Sequence, residues 1–141
     1  MTRGLRKIRF GWILLAAFVA EIVGIAGVMG IRVIYGHGPT EIVQLPPLGE
    51  TLFLLELATV SGVAGWWVSR RKARYRRVLN GLLVGVSAVV LYEVLTVGAP
   101  IPRLTWSHLA THVVKIAGAW IGGWLGARKG NETSVAPMAI R

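Results

Sequence analysis

The segment Trp106 to Arg128, WSHLATHVVKIAGAWIGGWLGAR, is long enough to cross a bilayer as a helix, yet it carries His108, His112 and Lys115. Those residues are spaced by four and then three, and Ala119, Gly122 and Gly126 continue the spacing. At about 3.6 residues per turn they form one stripe, polar at its start and poor in side chain at its end. The other face holds Leu109, Val113, Ile116, Trp120 and Leu125, which suit lipid or an apolar neighbour. A helix built this way needs partners for its polar half and close backbone contacts for its small half.

Composition assigns that segment to a membrane protein. The chain has 141 residues, 54% of them hydrophobic, a mean hydropathy of +0.60 and a formal net charge of +10. One soluble domain of that length cannot hide so much apolar surface from water. The basic residues flank apolar runs instead of coating a soluble face, which argues against nucleic acid as a partner. The chain has no cysteine, so disulfides, thiolate catalysis and cysteine-ligated metals are excluded.

Arg3, Arg6, Lys7 and Arg9 precede an apolar run that continues through Glu21 to about Ile34. A secretory leader opens in a similar way, but this run is too long for one and has no small-x-small cleavage pattern near it. An all-α, polytopic bundle of four transmembrane helices is expected, over about 10–34, 48–69, 78–97 and 106–127, as one domain spanning 1–130. Residues 131–141 are expected as a flexible cytoplasmic tail. A Gly- and Pro-rich loop follows the first helix, and Ala99-Pro100-Ile101-Pro102 separates the last two.

Four basic residues lie before the first helix, six between the second and third, and three after the fourth. The loops on the other side hold only Arg103, with Arg32 near the end of the first helix. The positive-inside rule therefore predicts a multi-pass protein of the cell (inner) membrane with both termini in the cytoplasm. The six of the inner loop, Arg70, Arg71, Lys72, Arg74, Arg76 and Arg77, would face anionic lipid, each gaining ~1 kcal/mol there.

The intramembrane charges concentrate in the outer half: Glu56, Glu93, His108, His112 and Lys115, with Glu50 at the rim and Glu21 near the midplane. A lone charge in hydrocarbon costs at least ~2.5–3.5 kcal/mol on insertion scales, so these groups should face one another or water. The pairing expected for Lys115 is Glu56 or Glu93, with His112 close by. Such a cluster either fixes the register of the bundle or lines an outward-facing polar cavity. Glu21 is the possible proton site. It would meet Lys115 if the first and fourth helices were neighbours, and otherwise a backbone carbonyl or Ser87.

His108 and His112, at i and i+4, could share a metal with Glu93 or Glu56 as third ligand. The HxxxH pattern lacks the glutamate of a zincin helix, and the histidines are expected to be interfacial or paired, with no metal and no cofactor. Gly24, Gly81, Gly85, Gly122 and Gly126 are expected to let helices approach closely, within the bundle or between copies. No nucleophile elbow, phosphate loop or catalytic carboxylate pair is present, so no enzymatic activity is expected.

Two resemblances add to this. Gly65-Trp66-Trp67-Val68-Ser69-Arg70-Arg71-Lys72, Asn80-Gly81-Leu82-Leu83-Val84-Gly85 and Ala117-Gly118-Ala119-Trp120-Ile121-Gly122-Gly123-Trp124-Leu125-Gly126 resemble small bacterial four-helix membrane proteins of the YrzE-like kind. That likeness covers about half the chain, from Gly62 to Gly130, and implies a fold but no activity. Ala20-Glu21-Ile22-Val23-Gly24 is similar to the first-helix signature of small multidrug resistance transporters, in which the glutamate exchanges protons for a cationic drug. The aromatic and proline patterns of that family's second and third helices are missing here. The expected function is a non-enzymatic accessory or assembly subunit, of a larger membrane complex or of a homo-oligomer. The alternative is a small proton-coupled transporter using Glu21 and the outer polar cluster.

Overall fold

The computed structural model describes residues 10–38, 45–70, 74–97 and 105–132, with backbone alone for 74–77 and 129–132. The apolar run from Phe10 becomes α1 (Phe10–Ile34). It ends in a Schellman turn: the His37 amide donates to the Arg32 carbonyl and the Gly36 amide to that of Val33, both at 3.0 Å. Gly36 sits at φ +77°, a left-handed conformation that a residue with a β-carbon rarely adopts.

A proline suits the first position of a helix, where its missing N–H is no loss, and α2 (Pro47–Ser69) starts on one. The third helix, α3 (Arg74–Leu95), begins inside the basic segment, four residues before the apolar run. Arginine is a good helix former, so the backbone helix outlasts the apolar stretch that sequence reading follows. The fourth, α4 (Trp106–Glu132), likewise continues past Ala127. The amino-terminal basic residues, 39–44, 71–73, the Ala99–Pro102 break, Arg103 and 133–141 lie outside the described residues.

All described secondary structure is helical, and three helices have the length and apolarity to cross a membrane: α1, α2 and the Val78–Leu95 part of α3. Large apolar side chains such as Leu14, Phe18, Ile22, Leu55, Val90 and Leu109 are exposed, the reverse of a water-soluble globule. The innermost layer is made of small residues instead. Ala16, Ala17, Ala20, Ala64, Ala88 and Ala119 surround Ile13 and Val84.

The contact of α2 with α4 shows what these small residues do. A β-carbon on Gly118 would come within 2.6 Å of the Ala58 carbonyl oxygen, and one on Gly126 within 2.9 Å of that of Trp66. One on Gly122 would run into the Gly62 carbonyl. The matched numbers rise together, so α2 and α4 run parallel. On the other flank of α4, Gly81 and Gly85 of α3 lie against Ala119, Gly123 and Ile116 in antiparallel order. Gly24 of α1 abuts Leu57 of α2. Among the described residues, α1 and α4 each pack on α2 and α3 but not on each other.

Gly122→Ala should therefore push α2 and α4 apart, with the ~1–3 kcal/mol penalty usual for overpacking. Gly30→Ala, whose β-carbon would meet nothing within 4 Å, should be neutral or slightly stabilising. Thermal unfolding of the two variants in the same detergent checks the contrast.

Candidate functional site

Among the described residues, two clusters of ionisable side chains lie in this apolar frame, and Tyr92 touches both. The first is a pair buried at the centre. Lys115 Nζ donates to Glu21 Oε2 at 2.8 Å and lies 2.8 Å from Oε1, with both side chains only 4% exposed. Its partner is thus neither Glu56 nor Glu93. Glu21 belongs to α1 and Lys115 to α4, helices that do not pack on each other, so their side chains bridge the bundle between α2 and α3. The length of the lysine stem makes the contact possible where the backbones stand apart. The ammonium also lies 4.3 Å from the centre of the Tyr92 ring, a cation–π contact that shields its remaining side.

The second group lies where α3 ends and α4 begins. Thr105 caps α4: its Oγ1 accepts from the His108 amide at 3.3 Å, and its carbonyl accepts from the Leu109 amide at 3.1 Å. That cap puts His108 in the first helical turn, and His112 falls one turn further on the same face. Thr111 Oγ1 donates to the His108 carbonyl at 2.6 Å. Across the gap, Glu93 occupies the last turn of α3. His108 Nε2 and His112 Nε2 each lie 2.9 Å from Glu93 Oε1, and 3.0 Å from each other. The side chains are 10%, 16% and 34% exposed for His108, His112 and Glu93. The Tyr92 ring centre lies 5.7 Å from both imidazole centres.

Glu56 joins neither group. Its carboxylate lies against Gly27 of α1, in the space a β-carbon there would need, and its Oε2 is buried without a hydrogen-bond partner. Gly24, Gly81, Gly85, Gly122 and Gly126 all lie at contacts inside the bundle. Of the basic loop, Arg70 stacks over Trp66 at 4.3 Å, Arg71 and Lys72 fall outside the described residues, and Arg74, Arg76 and Arg77 are present as backbone. Sequence reasoning passed over Tyr92, although its place beside Glu93 was visible. A tyrosine one residue from a charged position at a helix end reads as an interfacial anchor until the fold brings α4 against it.

Glu21→Gln and Lys115→Met should each strand one buried charge, which costs about 3–5 kcal/mol where such pairs have been broken. The double variant Glu21→Gln/Lys115→Met should recover most of that loss. Equilibrium unfolding in detergent, run on all three variants, reads the recovery directly.

No family model matches the chain, and no curated protein or solved structure matches it either, so the two likenesses noted from the sequence rest on their own residues.

Proposed function

We propose that this chain is a non-enzymatic, multi-pass protein of the cell (inner) membrane that serves as an accessory or assembly subunit, within a larger membrane complex or a homo-oligomer. The observation that carries this reading is the bidentate Glu21–Lys115 pair, buried across the bundle. A proton carrier at the midplane has to be able to exchange its proton with water. Glu21 is instead held by a cation inside the protein, where it fastens α1 to α4. What the bundle offers to its surroundings is apolar helix surface, for lipid or for neighbouring helices.

In this reading α4 is the fourth span. Its 27 residues reach about 40 Å at ~1.5 Å per residue, more than a hydrocarbon core. Lys115 turns inward, while Leu109, Val113, Trp120, Ile121, Trp124 and Leu125 are exposed in the manner of a lipid-facing side. At the opposite end from the histidines, Arg70 stacks on Trp66 at 4.3 Å and Arg128 on Trp124 at 4.1 Å. Basic and aromatic residues paired in this way suit the cytoplasmic interface, with the basic loop on anionic lipid and both termini inside. Nucleic acid is not among the expected partners.

The second reading is a small proton-coupled transporter. Glu56 is the observation in its favour, because its buried Oε2 has no hydrogen-bond partner while Glu21 is already engaged. It predicts proton-linked flux in reconstituted vesicles that Glu56→Gln abolishes.

Extraction in mild detergent from the native membrane should recover the protein in a particle well above its own 15.3 kDa, with other subunits or further copies. A monomer free of partners would overturn the subunit reading. The chain has no cysteine, so single variants report topology cleanly. Gly38→Cys should be labelled by an impermeant maleimide from outside the cell, and Asn131→Cys only after the membrane is opened.

A further inference from the structure

We infer that Glu93, His108 and His112 form a three-ligand site for a divalent first-row transition-metal ion, at the end of the bundle where α3 gives way to α4. The sequence leaves Glu93 and Glu56 open as a third ligand, and its HxxxH pattern, without the glutamate of a zincin helix, points to interfacial or paired histidines instead of a metal. The fold chooses Glu93, which α3 brings to both histidines, and leaves Glu56 against Gly27. The inference stands apart from the proposed subunit role, since it uses neither Glu21 nor Lys115.

The geometry of the three atoms carries it. Glu93 Oε1, His108 Nε2 and His112 Nε2 form a triangle with sides of 2.9, 2.9 and 3.0 Å. Each imidazole nitrogen offers either one N–H or one lone pair, directed in the ring plane, and an ionised carboxylate oxygen only accepts. Two N–H groups aimed at Oε1 set donor against donor along the third side. An N–H shared between the rings leaves a nitrogen lone pair facing the carboxylate. No assignment of protons gives all three sides a well-directed hydrogen bond. A cation accepts a lone pair from all three atoms at once.

The spacing fits such an ion. Ligands about 2.0–2.1 Å from a tetrahedral zinc stand roughly 3.3–3.4 Å apart, so the triangle needs to open by only a few tenths of an ångström. All three side chains offer a ligand atom within 4.8 Å of the others. The donor set, two imidazoles and one carboxylate, suits zinc, cobalt(II), nickel(II), copper(II) or iron(II), and does not suit magnesium or calcium, which take oxygen. Three protein ligands would leave at least one position open, and the Glu93 side chain is one-third exposed.

Binding through Nε2 requires each ring to carry its proton on Nδ1. For His112 that atom is buried with no hydrogen-bond partner. Outer-shell partners are worth about 10–100-fold in metal affinity, so the site should bind more weakly than one whose rings are both supported from behind. The bound ion would tie the last turn of α3 to the first two turns of α4.

The test uses the full-length protein in detergent, purified on a tag without histidine and stripped with a chelator. Titration with Co²⁺ should give saturable binding of one ion per chain, with ligand-field absorption of a low-coordinate nitrogen–oxygen site. Zn²⁺ should displace it and Mg²⁺ should not. His108→Ala, His112→Ala and Glu93→Gln should each weaken binding by at least the roughly 10–100-fold that loss of an outer-shell partner brings. Glu56→Gln and His37→Ala should leave it unchanged. Absence of saturable binding, or binding unaltered in both histidine variants, overturns the inference. If the histidine variants do not fold, X-ray absorption of the Zn²⁺-loaded wild-type protein decides: two imidazoles in the first shell support the site, and oxygen scattering alone refutes it.

Discussion

In a bilayer, two helices gain little by burying apolar side chains against each other, because lipid offers the same surroundings. What holds them is the closeness of the approach, and in this bundle closeness is set by small residues on α4. Gly118, Gly122 and Gly126 admit the carbonyls of α2 on one flank, while Ala119 and Gly123 receive the glycines of α3 on the other. The helix is thereby wedged between α2 and α3 with its stripe of small residues facing inward. Because Lys115 belongs to the same stripe, the wedge also aims it at the centre. Packing at one end of α4 thus determines the electrostatics at the other.

The polar residues separate into two environments that ask for different partners. Lys115 meets Glu21 where both are almost wholly buried, and a charge there has no recourse to water. Opposite charges in bidentate contact, with an aromatic face on a further side, satisfy that position without any ligand. The Glu93–His108–His112 group is less enclosed, and its three converging atoms exceed what protons alone can pair. The first group is complete in itself, whereas the second has coordination to spare. Tyr92 packs against both, its ring centre 4.3 Å from Lys115 Nζ and 5.7 Å from each imidazole centre.

Much of the frame was legible in the sequence. Long apolar runs carry the membrane signal, because hydrocarbon thickness sets a minimum length and every backbone polar group must be bonded within the helix. The helix ends were less legible. Arg74 to Arg77 continue α3 outside its apolar run, since helix propensity and hydropathy are different properties of a residue. The His108–His112 spacing also shows directly, because 3.6 residues per turn is a local rule. Glu93 as their companion does not, as it depends on how α3 is set against α4.

Four helical segments, the apolar runs long enough for a membrane and the residues sharing a face of α4 were readable without the fold. Each of these follows from composition and periodicity within one helix. The partner of Lys115 was not readable without the packing of the helices. Depth along the chain offered Glu21, Glu56 and Glu93 as candidates, and separation in the membrane plane is not written in any local pattern. The choice depended on α1 and α4 lying on opposite sides of the α2–α3 pair, with a lysine long enough to reach between them. The same arrangement left Glu56 against Gly27 and brought Glu93 to the histidines.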